Sequence, residues 1–243
     1  NIANLSLVFG ITIFILGLKR KEINENSSSL SLNLLLLILS TLLVIIILIF
    51  NPFSFFSSSI FLLSFLGVVI FLWSRMDKDV VNEGMEPLEF NPLLRLIFSI
   101  LFLCLGSWLI VKGANSILRI IDLGEMFVGF TIIAIGTSLP EIAASVSLSM
   151  KGRYQAVAGT LIGSNIFNSL LVLSIPGFFN NPTRFSVGWS YDDWTYLLIT
   201  LFIITIIFSL YMKFLNRKTR KASTMLGVLF ITSYFISLVI AYN

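Results

Sequence analysis

The chain has 243 residues, of which 57% are hydrophobic and 12% charged, with a net charge of +4, one cysteine and no histidine. A soluble domain carries about a quarter charged residues, so this composition, with a mean hydropathy of +0.98, excludes an ordinary soluble protein and makes lipid the main solvent. Without histidine there is no histidine triad, imidazole metal site or imidazole proton relay, and the lone Cys104, set in an apolar run, reads as a small buried packing residue.

Apolar stretches long enough to cross a bilayer follow one another along the chain. An incomplete stretch, Asn1–Leu18, comes first. Seven full ones follow: Leu30–Phe50, Ser57–Ser74, Leu93–Ile110, Met126–Met150, Ala156–Phe179, Trp194–Met212 and Ala222–Tyr242. The fold class expected is an all-α, multi-pass membrane protein with about eight helices. The chain opens on Asn within an apolar run, with no charged segment or cleavage site before it, so an incomplete N-terminus is expected rather than a signal peptide.

Thirteen of the sixteen Lys and Arg fall in every second connection: Lys19, Arg20 and Lys21; Arg75, Lys78 and Arg95; Lys151 and Arg153; and Lys213, Arg217, Lys218, Arg220 and Lys221. The alternate connections hold Lys112, Arg119 and Arg184. By the positive-inside rule the basic connections are cytoplasmic, and both Asn1 and the C-terminus are outside. The net charge therefore reflects cytoplasmic loops and predicts no nucleic-acid partner. Residues 76–92 form the one long polar connection, read as a cytoplasmic linker between two bundles, 1–75 and 93–243.

The opening phrase "NIANLSLVFGI" returns at Asn165 as "NIFNSLLVLSI". Two more apolar helices follow each copy. The first copy runs into the basic connection at Lys19–Lys21, the second into the outer connection 180–193, so the phrase crosses the membrane in opposite directions. Inverted repeats of this kind build secondary transporters, with ion sites near the midplane.

The fifth apolar stretch, within "VGFTIIAIGTSLPEIAASVSLSM", holds Glu141 near its middle. A carboxylate at the bilayer centre costs about 2.5–3.5 kcal/mol and faces a partner or an aqueous cavity. Pro140 withholds an N–H from the carbonyl of Gly136, which predicts a bent or broken helix with free oxygens. Thr137 and Ser138 share a face with Glu141, and the Ala134 carbonyl lies one turn before them. In the next stretch Ser164 and Asn165 lie four and three residues before Asn168, and Gly159 and Gly163 form a small-xxx-small pattern that lets another helix approach closely. One carboxylate, hydroxyls, amides and loosened carbonyls form an all-oxygen set suited to hard cations such as Ca²⁺ and Na⁺. Each hydroxyl or amide, taken singly, also has a plain reading as interhelical glue.

Together, "AIGTSLPEIAASV" and "GTLIGSNIFNSLLVL" resemble the second alpha repeat of the sodium/calcium exchanger family, within the calcium/cation antiporter superfamily. "NIANLSLVFGI" resembles the tail of its first alpha repeat. The resemblance implies ten helices in two inverted halves of five, with this chain entering within the third helix. Residues 1–75 would then be the end of the first repeat, and 93–243 the second, with its motif at 128–176. The first two helices, and the glutamate partnering Glu141, would be missing. The resemblance further implies that Glu141, Thr137, Ser138, the Ala134 carbonyl, Ser164, Asn168, Asn165 and Asn4 bind the transported ions. Asn168 stands where the potassium-cotransporting branch has Asp, which points away from potassium dependence. Thr160 replaces a usual Asn behind the ligands.

The function implied is antiport of Na⁺ against Ca²⁺ across the plasma membrane by alternating access, without an enzyme activity and without a cofactor. The partners implied are the two ions, the lipid bilayer and the missing helices of the same chain. Proton/calcium exchange is the nearest alternative, although a "GNxxE" signature is absent. An intramembrane hydrolase has no credible catalytic set here. A non-transporting membrane scaffold would show no stabilisation by cations.

Overall fold

The computed structural model describes residues 1–19, 28–50, 53–75, 92–120, 125–179, 191–214 and 220–242. Among these, the regular structure is helical throughout. A π-helical turn, Asn4–Val8 (π1), leads into α1 (Phe9–Lys19). Then come α2 (Ser28–Phe50), α3 (Phe55–Ser74) and α4 (Pro92–Ile120). Next, α5 (Glu125–Val128) passes through a second π turn, Gly129–Ile133 (π2), into α6 (Ala134–Met150). After α7 (Tyr154–Leu170), a 3₁₀ turn at Val172–Ser174 leads to α8 (Ile175–Phe178), followed by α9 (Tyr191–Phe214) and α10 (Arg220–Tyr242).

Among the described residues, six helical stretches are long and apolar enough to cross a membrane, and two shorter apolar ones, Asn4–Gly17 and Ser223–Val239, accompany them. The expected membrane architecture is thus present. The linker at 76–92, except Pro92, and most of the connection at 180–193 lie outside the described residues, as do Arg20, Lys21 and residues 215–219. The third full stretch is longer than the expected Leu93–Ile110. As α4 it continues to Ile120, about 44 Å at helical rise, and exceeds the ~30 Å hydrocarbon core. Its far end therefore carries Lys112 beyond the apolar centre, where Nζ lies 4.7 Å from the Trp108 ring centroid. Cys104, on the same helix, is exposed rather than buried. Its apolar neighbours Leu101, Phe102 and Leu105 are exposed too, as a lipid-facing surface requires.

The chain divides into two units: Asn1–Gly67 with Ser138–Asn243, and Val68–Thr137. In the first, α1 packs along α10, α2 against α7 and α9, and π1 against α7, α9 and α10. Phe9 centres its core. Its ring meets those of Phe208 at 4.5 Å, Phe230 at 5.1 Å and Tyr211 at 5.6 Å, all edge to face. Such pairs contribute about 0.5–1.5 kcal/mol each beyond burial. In the second unit α4 packs on α5 and π2.

A tight turn ties α6 to α7. Gly152 takes φ 75°, the left-handed conformation. Its N–H donates to the Ser149 carbonyl at 3.1 Å and the Arg153 N–H to Leu148 at 3.0 Å. This pattern closes a helix C-terminus on a glycine. It returns the chain at once, so the helix bearing Glu141 and the helix bearing Ser164 and Asn165 are consecutive.

Candidate functional site

Helices in lipid must satisfy their own polar groups, and most buried hydroxyls here do so locally. Thr12 donates to Val8, Thr41 to Leu37, Ser149 to Ser145 and Thr205 to Leu201, each one turn back along its own helix. These hydroxyls are structural.

Three asparagines behave differently. Asn165 is fully buried. Its Nδ2 donates to the Leu161 carbonyl at 2.7 Å. Asn4, 2% exposed, donates from Nδ2 to the Ser164 hydroxyl at 3.4 Å. Ser164 in turn donates to the Leu161 carbonyl at 3.2 Å. Asn1 donates from Nδ2 to the Asn165 carbonyl at 3.2 Å and to the Ser169 hydroxyl at 2.6 Å. In each asparagine the amide nitrogen is engaged and the side-chain oxygen, Oδ1, is buried without a partner. An unsatisfied buried acceptor costs about 1–3 kcal/mol, so three in neighbouring positions call for a ligand that needs oxygen donors. A hard cation is such a ligand.

Glu141 is half-buried on α6. Ser138, one turn earlier, is 5% exposed. The structure thus brings Asn4, Ser164 and Asn165 together. Asn168 is half-buried and stands outside this hydrogen-bond network. Ala134 and Thr137 belong to the other unit. There, the Thr137 hydroxyl donates to the Ile133 carbonyl at 2.8 Å and the Ala134 carbonyl at 3.3 Å.

The structure bears on two expectations about α6 and α7. The helix is not broken at Pro140: α6 runs through it unbroken. The irregular turn lies earlier, at Gly129–Ile133. Gly136 serves packing there, since a Cβ on it would lie 3.0 Å from the Ile110 side chain of α4. Among the described residues, nothing lies within 4 Å of where a Cβ would sit on Gly159 or Gly163. Close approaches occur at Gly10, Gly17 and Gly227, between α1 and α10, and at Gly177, against Ser54 and Ser58.

Asn1 and Ser169 are not among the expected ligands. The repeat holds the signal: Asn1 aligns with Asn165, and Ser169 is one turn after Asn165 on the same face.

Comparison with known proteins adds to this geometry. Residues 91–243 match the family described as sodium/calcium exchanger protein. The inner membrane protein YrbG of Escherichia coli is 31% identical over 159 residues, covering 60% of this chain and 49% of that protein. The sodium/calcium exchanger MaX1 of Methanosarcina acetivorans is 38% identical over 80 residues, 33% of this chain and 23% of its own. Sodium/potassium/calcium exchanger 1 of Gallus gallus is 29% identical over 182 residues, 73% of this chain and 26% of its own. The chain therefore spans half or less of these relatives' lengths. In three dimensions it resembles the sodium-calcium exchanger NCX_Mj, with a TM-score of 0.62 and 24% identity over 98% of this chain and 72% of that one. That likeness carries the fold. With the family matched across more than half of its residues, the chain belongs to the sodium/calcium exchanger protein family.

Proposed function

We propose that the protein carrying this chain exchanges Na⁺ for Ca²⁺ across the cell membrane by alternating access, without a requirement for K⁺. The observation that carries this reading is the set of buried, unpartnered side-chain oxygens on Asn1, Asn4 and Asn165; Glu141, on the α6 that precedes α7, is proposed as the carboxylate ligand. Ca²⁺ and Na⁺ share a preference for oxygen donors and would compete for one site of mostly neutral ligands and few carboxylates. Ser138, Ser164, Thr137, the Ala134 carbonyl and Asn168 complete the proposed ligand set. The site is read as lying where two inverted halves meet, 1–75 and 93–243 joined by a linker at 76–92. The connections rich in Lys and Arg face the cytoplasm, and the C-terminus lies outside.

A second reading has support of its own. The matched stretch of the Gallus gallus protein named sodium/potassium/calcium exchanger 1 covers 73% of this chain, which favours K⁺ as a co-transported ion. One experiment separates the two. The full-length protein is reconstituted in vesicles, and ⁴⁵Ca²⁺ uptake is driven by an outward Na⁺ gradient with and without K⁺. Uptake that needs Na⁺ and is indifferent to K⁺ supports the proposal; strict K⁺ dependence replaces it with the second reading. Uptake driven by a pH gradient without Na⁺ identifies proton exchange instead. Glu141→Gln should reduce uptake to background, and uptake unchanged in that variant sinks the site assignment.

A further inference from the structure

The two copies of the repeated phrase pair with each other unequally. Aligned on their asparagines, Asn1 matches Asn165, Asn4 matches Asn168 and Leu5 matches Ser169. Asn1 reaches across to the second copy, donating to the Asn165 carbonyl at 3.2 Å and to the Ser169 hydroxyl at 2.6 Å. A symmetric arrangement would have Asn165 reach back to residue 5. That residue is Leu5, fully buried and without a hydroxyl. Asn165 instead turns its amide nitrogen onto its own helix, to the Leu161 carbonyl at 2.7 Å. The backbone differs in step. After the asparagines the first copy widens into the π turn Asn4–Val8, whereas the second ends its α-helix at Leu170 and tightens into a 3₁₀ turn at Val172–Ser174.

In a transporter built from inverted repeats, the states open to either side are related by exchange of the two copies' conformations. Identical copies would give the two states equal energy. A hydrogen bond between copies that one state can make and the other cannot removes that equality. We propose that Asn1 and Ser169 are positioning residues whose hydrogen bond, lacking its counterpart because residue 5 is leucine, holds the Asn165 segment in the arrangement seen here and biases the exchanger toward the state open to one side. This rests on the transport reading above. It concerns which face of the membrane the site favours, not which ion it binds. A ligand or bond can shift such an equilibrium only by its difference in strength between the two states, and for one neutral hydrogen bond that is about two- to tenfold.

The test uses the full-length protein in vesicles of known orientation, in a Cys104→Ala background. A cysteine at Thr160, one turn before Ser164 on α7, reports access from each side by its rate of labelling with a membrane-impermeant maleimide, cations absent. The ratio of Ca²⁺ KM values at the two faces is the second readout. Ser169→Ala removes the bond and should shift both ratios by about two- to tenfold. Leu5→Ser adds the missing counterpart and should shift them in the same direction, because it stabilises the opposite state. Ser169→Thr keeps the hydroxyl and should leave the ratios as in the wild type. If Ser169→Ala lowers the melting temperature but moves neither ratio, the bond is structural only and the proposal is overturned. Opposite shifts from Ser169→Ala and Leu5→Ser overturn it as well. Should Leu5→Ser not fold, the two Ser169 variants decide the matter. Absence of Ca²⁺ exchange in the wild type would refute the transport reading, and the labelling ratios would still report the bias.

Discussion

Gly10 and Gly227 face one another backbone to backbone across the α1–α10 contact. A Cβ on Gly10 would lie 2.9 Å from the Gly227 carbonyl oxygen, and one on Gly227 would lie 2.9 Å from the Gly10 carbonyl oxygen and 2.7 Å from the Phe14 nitrogen. Backbone atoms cannot swing aside as a side-chain tip can, so any larger residue must push the helices apart. Phe9 and Phe230, whose rings meet at 5.1 Å, sit on the same two helices and would lose that contact.

Gly227→Ala should therefore destabilise the protein by about 1–3 kcal/mol, the usual range for overpacking a filled interior. Gly67→Ala is the control, because nothing lies within 4 Å of its added methyl. Thermal unfolding in detergent compares the two. A melting temperature for Gly227→Ala equal to that of Gly67→Ala would show that the α1–α10 seam is looser than described.

Gly152→Ala tests the turn between the two site-bearing helices. With φ at 75°, a side chain there costs about 1–2 kcal/mol. Melting should fall accordingly, and Gly152→Asn should lose less, since Asn tolerates the left-handed region. Equal losses for Ala and Asn would mean that crowding, not backbone conformation, sets the requirement for glycine.

The buried amide oxygens make a prediction about cations. Anything that binds the folded state alone stabilises it, by about 2.7 kcal/mol at one hundred times its dissociation constant. Ca²⁺ and Na⁺ should each raise the melting temperature of the full-length wild type. Asn165→Ala and Asn4→Ala should each lose most of that increment at the same ion concentration. An increment preserved in both variants would assign the ions elsewhere.

The architecture was largely legible because lipid makes simple demands. Long apolar runs must become helices, and Leu30–Phe50 or Trp194–Met212 differ from the observed helices by only a few end residues. Asn4, Ser164 and Asn165, which the structure brings together, are each singled out by the two motifs. What the sequence concealed depends on neighbours. Gly159 and Gly163 share a face, but a shared face says nothing about which helix comes near it. The same phrase, starting at Asn1 and at Asn165, takes a widened turn in one copy and a tightened one in the other. Local propensity cannot distinguish copies so alike; tertiary packing does. The Asn1–Ser169 bond needed the third dimension, since 168 positions separate its partners.

Pro140 offers the last prediction. A proline inside a helix costs about 3 kcal/mol relative to alanine, because it removes a donor and crowds the preceding turn. Here α6 continues through Pro140, which tolerates the loss rather than breaking at it. The Gly136 carbonyl, four residues back, has no N–H to accept from Pro140. Two residues before that carbonyl, the Ala134 carbonyl also accepts from the Thr137 hydroxyl at 3.3 Å. Pro140→Ala should restore the ladder bond to Gly136 and raise the melting temperature without cations. If the loosened carbonyls serve the transported ion, the same variant should weaken Ca²⁺ binding, seen as a raised KM and a smaller Ca²⁺-dependent rise in melting temperature. A stabilised variant with an unchanged KM would separate the proline from the site and leave it as a feature of helix packing alone.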